Sequence, residues 1–168
     1  QQQAAFNAVN YLIQQGHRDI ACITGLITTS TAQSRLAGYQ QALAAHGIAL
    51  NEDLIIHGDS GVPDGYQGCQ ALLARDINFS ALFIYNDDMT IGAMKALNQA
   101  GKKLPQDVSL FGFDDEPTAP YLQPALSTVY LPIDAMIEAA ITQALKLIAG
   151  EQVLPLPPFI GELKLRDS

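Results

Sequence analysis

Ser80–Leu97, SALFIYNDDMTIGAMKAL, changes character at a single point, and that change decides the fold. Ala81 to Tyr85 is a short, continuously apolar run bounded by polar residues, the pattern of a strand buried on both faces. After it, Met89, Gly92, Ala93, Ala96 and Leu97 recur at helical spacing. Between the two lies Asn86-Asp87-Asp88, an acidic strand-to-helix turn. In an open parallel sheet, ligands bind in the crevice beyond the carboxyl ends of the strands, where a helix N-terminus presents unpaired N–H groups and a positive dipole end. Asp87 and Asp88 are expected to cap that helix, which leaves Asn86 as the residue of the turn that meets a ligand.

The same alternation extends in both directions. Upstream, Gln2 to Gln15 has one apolar helical face, stopped by Gly16, and Asp19 to Gly25 (DIACITG) is β-rich. A polar loop, Leu26 to Ala32, leads to a helix over Gln33 to His46. Leu54 to His57 is a second strand, and Asp64 starts and caps a helix reaching Ala74. Downstream, Val108 to Phe113 is a strand with Asp114-Asp115-Glu116-Pro117 at its carboxyl end, and Pro117 prevents simple continuation. Leu126 to Leu131 is a short strand, Ile133 to Ala149 an amphipathic helix, and Phe159 to Leu165 a terminal strand after a Pro-rich linker. The order α-β-α-β-α-β-α-β predicts an α/β, doubly wound parallel sheet with helices on both faces.

The chain has 168 residues with 48% hydrophobic content, enough for one domain with a proper core. A formal net charge of −8 and a pI near 4.6 leave no basic face for nucleic acid, so any DNA contact belongs to another part of the protein. Cys22 and Cys69 lack metal or redox spacing and read as two buried thiols. His17, His46 and His57 are scattered singly, so neither a metal nor a cofactor site is expected. No apolar segment approaches the ~20 residues of a membrane span, and the Gln-rich start has no signal-peptide pattern. The chain opens inside a helical pattern, which suggests that the natural protein begins earlier.

Polar groups from several strand ends can converge. Thr31 and Arg35 follow the first strand, Asp59-Ser60 the second, Asn86 the third and Asp114 the fourth. A guanidinium, a carboxamide and a carboxylate together supply the planar donors and acceptors that recognise vicinal hydroxyls on a small polar ligand. No nucleophile with an adjacent base is evident, so no catalytic residue is expected. Each residue has a plainer reading. Arg35 serves equally as a helix-surface ion partner, Asp87, Asp88 and Asp115 suit caps or solvated charges, and Asn86 and Asp114 stand even between the two roles on position alone.

Five blocks, GHRDIACITG, SRLAGYQQAL, YNDDMTIGAMKAL, SLFGFDDEP and LKLRDS, resemble in order and spacing the LacI/GalR family of bacterial transcriptional regulators, over nearly the whole chain. The resemblance implies a periplasmic-binding-protein-like (type I) effector domain of two α/β lobes with a sugar in the cleft, and a separate N-terminal helix-turn-helix for operator DNA. It implies that residues 1–130 form the C-terminal lobe, that residues 131–150 form a helix of the otherwise missing N-terminal lobe, and that residues 151–168 are a linker and a strand returning to the C-terminal lobe. By motif it makes Arg35, Asn86 and Asp114 the sugar-hydroxyl contacts, with Thr31 flanking. The sequence departs from the family at Ser60, where several relatives place an aromatic ring that stacks on the sugar, and at Leu131, where some carry a polar contact. The resemblance also turns Ile91 and Tyr121 toward a partner subunit; both read equally as ordinary core.

Three functions follow as expectations. The first is the effector-binding and dimerisation part of a cytoplasmic sugar-responsive repressor, a homodimer or higher oligomer with no membrane contact, the sugar being a β-glucoside in one version of the resemblance. The second is a periplasmic sugar-binding protein of a transport system. The third is an enzyme with Asp114 and Asp115 as acid and base. An upstream helix-turn-helix with basic flanks or a signal peptide would separate the first two.

Overall fold

A computed structural model describes residues 1–168. Four parallel strands, β1 (Ile20–Thr24), β2 (Ile55–His57), β3 (Ala81–Ile84) and β4 (Ser109–Phe111), lie in the order β2-β1-β3-β4. Cys22 of β1 is opposite Ile55 on one side and Phe83 on the other. Helices α1 (Gln2–Gln14) and α2 (Ser30–Ala45) cover one face, and α3 (Val62–Ala74) and α4 (Asp87–Gln99) the other. The period-2 alternation of a strand feeds both layers. Ile20, Cys22 and Phe83 face α1 and α2 with Phe111 and Phe113, whereas Ala21, Ile23, Leu82 and Ile84 face α3 and α4. Every residue of β1 and β3 is buried, as their continuous apolar runs require.

The predicted doubly wound sheet is present. From β1 the chain moves outward to β2, and from β3 outward to β4, so the switch point lies between β1 and β3. The expected element ends shift by a few residues, with local causes. Helix α2 begins at Ser30 rather than Gln33, because Thr29 caps it by accepting from the Ala32 N–H. Thr31 therefore lies in the first turn of a helix and not in a loop. Helix α3 begins at Val62 with Gly61 as its N-cap residue; Asp64 lies inside the first turn and accepts from the Gly61 N–H at 3.0 Å.

A second, antiparallel pair joins β5 (Thr128–Tyr130) to β6 (Glu162–Lys164). An Asp114–Tyr130 parallel bridge links it to the end of β4. Beyond β6, a strap of residues 165–168 runs beside residues 125–127, with the Asp167 N–H donating to the Ala125 carbonyl and Ser127 N–H to Ser168 Oγ. Between β5 and β6 stands α5 (Ile133–Ile148), which has no buried residue. Ile137, Ile141, Leu145 and Ile148 recur along it and are all exposed. No helix is long and apolar enough to cross a membrane.

Helices α3 and α4 approach closely through glycines. A Cβ at Gly92 would lie 2.0 Å from the Val62 carbonyl oxygen, and one at Gly65 would lie 1.9 Å from that of Met89. Backbone is on both sides of each contact, so the helices must separate to admit a methyl group. Gly92→Ala is expected to destabilise the fold by about 1–3 kcal/mol despite the better helix propensity of alanine, read as a lower urea midpoint at unchanged m-value.

Candidate functional site

Helix α2 carries Arg35 on its buried face, only 5% exposed, beneath the carboxyl ends of β3 and β4. A buried guanidinium needs acceptors on all its edges. Arg35 Nε donates to Gln1 Oε1 at 3.0 Å, one Nη donates to the Tyr85 carbonyl, and the other donates to Asp114 Oδ1 at 2.8 Å. Its planar faces are also occupied: the guanidinium carbon lies 3.6 Å from the Phe113 ring centroid and 4.6 Å from that of Tyr85. Burial pushes the Arg35 pKa down, and the Asp114 carboxylate opposes this by charge and hydrogen bond. The residue is no surface ion partner.

Asp114 has only Oδ1 bound to Arg35, and its side chain is one-third exposed. It borders a cavity of about 300 Å³ lined also by Asp115, Pro117, Tyr130 and Leu131. Three of the five guanidinium N–H groups are hydrogen-bonded, and the second carboxylate oxygen of Asp114 has no partner. A larger cavity of about 590 Å³ lies elsewhere, between α5 and residues 152–159.

The turn that follows β3 is built differently from its expected form. Asn86, not Asp87 or Asp88, caps α4: its Oδ1 accepts from the Met89 N–H at 2.9 Å. Its Nδ2 donates to the Ser60 carbonyl at 2.9 Å, which ties the loop after β2 to the turn and leaves one amide hydrogen over. Asp88 is exposed in the first turn, where its charge suits the helix dipole. Asp87 is buried and turned away from the cleft, accepting from Thr128 Oγ1 at 2.7 Å and from the Glu116 N–H at 2.9 Å. Asp115, another expected cap or solvated charge, is ion-paired to Arg166 at 2.7 Å.

Arg35, Asn86, Asp114 and the Ser60 backbone thus meet at one end of the sheet, linked through Tyr85. Thr31 sits one helical turn before Arg35 with no side-chain partner. The Ser60 hydroxyl reaches only Asp59, at 3.4 Å, so the loop offers no aromatic platform. Leu131 is buried in the apolar core beside the same cavity. Tyr85, Phe113, Gln1 and Asp87 were missed as site residues. The first two read as plain strand residues, and nothing local tells which side of the sheet receives the guanidinium.

Residues 9–168 match the periplasmic binding protein-like domain family. The chain belongs to that family, in its LacI/GalR branch. It is 48% identical over 166 residues to the HTH-type transcriptional regulator AscG of Escherichia coli (strain K12), covering 99% of this chain and 49% of the relative. A crystal structure of a sugar-binding LacI-family transcriptional regulator from Escherichia coli, complexed with phosphate, superposes with a TM-score of 0.94 at 48% identity, covering 99% of this chain and 60% of that one. The transcriptional regulator CelR in complex with cellobiose does so with a TM-score of 0.94 at 31% identity, over 98% of this chain and 51% of the other. The chain spans about half the length of the curated relatives it matches. The family motifs acquire physical meanings here. In GFDD, a Cβ on Gly112 would meet Asp87 Oδ1 at 2.3 Å, Phe113 stacks on Arg35, and each aspartate holds a different arginine.

Burial pushes Asp87 up to about 6 from an ordinary value of 3.8, against the lowering effect of its bonds from Thr128 and Glu116. A carboxyl raised in the folded state favours folding fully below pH 3.8 and loses that contribution as pH rises through about 6. Relative to Asp87→Asn, the unaltered protein is expected to lose about 2–3 kcal/mol between pH 3.5 and 7, measured by urea unfolding at several pH values. A parallel pH dependence in the two proteins would show that Asp87 does not titrate there.

Proposed function

We propose that this chain is the effector-binding part of a sugar-responsive transcriptional repressor acting in the cytoplasm, and that it performs no catalysis. The reading is carried by the buried Arg35–Asp114 pair at the carboxyl ends of the strands, in which Asp114 keeps one carboxylate oxygen free beside a cavity. Paired donors and acceptors in fixed planes suit the vicinal hydroxyls of a sugar. Cellobiose, a β-glucoside disaccharide, in the CelR structure favours that ligand class, and the regulators among the relatives favour repression over transport. Arg35, Asp114, Asn86 and Thr31 contact the sugar, with Ser60 at the rim.

Residues 1–130 form one lobe of the effector domain. Helix α5 belongs to the other lobe, as its wholly unburied surface suggests, and residues 151–168 return to pair β6 with β5. Ligand in the cleft favours one arrangement of the lobes, and the paired subunits transmit it to an operator-binding N-terminal domain. Ile91, half-buried on α4, and Tyr121, 87% exposed, face the partner subunit.

Calorimetric titration of the full-length protein with cellobiose and other β-glucosides tests the site. Asp114→Asn, which keeps the shape of the turn, and Asp114→Ala are expected to lose about 1.5–3 kcal/mol of binding, or roughly ten- to over a hundredfold in affinity. Unchanged affinity in both variants would remove Asp114 from the site. Tyr121→Asp is expected to shift the sedimentation coefficient from dimer toward monomer, and a variant that stays dimeric would move the interface elsewhere.

A further inference from the structure

Two consecutive residues, Asp114 (φ +106°) and Asp115 (φ +57°), hold left-handed backbone. Side chains other than glycine adopt this region at a cost and keep it only where their surroundings over-determine it. The surroundings here all come from distant parts of the chain. The Asp114 N–H donates to the Val129 carbonyl at 2.8 Å, and Asp87 accepts from the Glu116 N–H just past the turn. Arg166 then supplies the charge. Its Nη2 donates to Asp115 Oδ1 and its Nη1 to the Leu126 carbonyl, both at 2.7 Å, while its own backbone N–H donates to Ser127 Oγ at 3.0 Å.

This second arginine–aspartate pair is nearly out of water, with side chains 20% and 14% exposed. Removing one partner of such a pair leaves the other charge buried and uncompensated, which weakens the hold on the backbone that carries it. Because Asp114 and Asp115 are adjacent, the backbone of this one left-handed turn sets the direction in which both side chains leave it. Arg35 holds the turn from the sheet side and Arg166 from the strap side.

We propose that Arg166 is a positioning residue for the effector site: by anchoring Asp115 it fixes the left-handed turn that aims the Asp114 carboxylate at Arg35 and the cleft. The strap of residues 165–168 is thereby part of the support of the binding site, although Arg166 does not touch the ligand. This inference rests on the reading of the cleft as a sugar site.

The test uses the full-length protein with Arg166→Ala, Arg166→Lys and Asp115→Asn, and Cys69→Ala as a control for general loss of core stability. Amide hydrogen exchange at Asp114, Asp115 and Glu116 is expected to speed up roughly tenfold in Arg166→Ala, to recover partly in Arg166→Lys, and to stay unchanged in Cys69→Ala. The Kd for cellobiose is expected to rise roughly tenfold in Arg166→Ala and hardly further when Asp114 is already alanine. Unaltered exchange at the three amides overturns the proposal, as does a cellobiose effect that adds in full to that of Asp114→Ala. If Arg166→Ala fails to fold, Asp115→Asn carries the same comparison. If the unaltered protein binds no cellobiose, the choice of ligand fails, and exchange at the three amides still decides whether Arg166 positions the turn.

Discussion

A guanidinium taken out of water must find acceptors for its edges and partners for its faces, and the strand ends of this domain are arranged to meet that requirement. Arg35 draws together Gln1 at the start of the chain, the Tyr85 carbonyl after β3 and the Asp114 carboxylate after β4, between the rings of Phe113 and Tyr85. It is the side chain that ties the start of the chain to two strand ends. With it, the polar groups at this end of the sheet are held in fixed positions, and Asp114 faces a cavity.

The second layer of order is a ring of contacts around the turn after β4. Asp87 reaches across from α4, Thr128 from β5 and Arg166 from the strap, over sequence separations of 29 to 51 residues. The left-handed aspartates of this turn are held by partners from several distant segments. Burial of Asp87 has an environmental cost visible in its raised pKa, and that cost is accepted in exchange for tying Glu116 and Thr128 together in the space that Gly112 leaves. In the proposed repressor, this rigidity keeps one jaw of the cleft constant while the lobes change their relation.

The remaining architecture is lopsided. Both faces of the four-stranded sheet are sealed, whereas α5 presents Ile137, Ile141, Leu145 and Ile148 to solvent and its adjoining tail exposes Leu154 and Ile160. An exposed apolar face of this size is typical of surfaces that meet another part of a protein. In the proposed repressor, the other lobe of the effector domain covers this face.

The sequence by itself determined the layers. Continuous apolar runs at residues 20–24 and 81–84, alternating with helical repeats and glycine stops, specify a parallel sheet between two helical layers, because those periods report burial directly. It also singled out Arg35, Asn86, Ser60 and Asp114 through their places beyond strand ends and their motifs, with Thr31 near by. Tertiary structure alone decided what each does. A three-residue run such as Asn86-Asp87-Asp88 is compatible with any of its members as cap, and the choice fell to Asn86 because Thr128 and the Glu116 N–H claim Asp87. Asp115 likewise became an ion-pair partner, rather than a solvated charge, only because residues 165–168 pass beside residues 125–127 and bring Arg166 within 2.7 Å. Local pattern encodes which surfaces are buried; the assignment of polar partners depends on which distant backbone arrives, and a one-dimensional pattern carries no record of that.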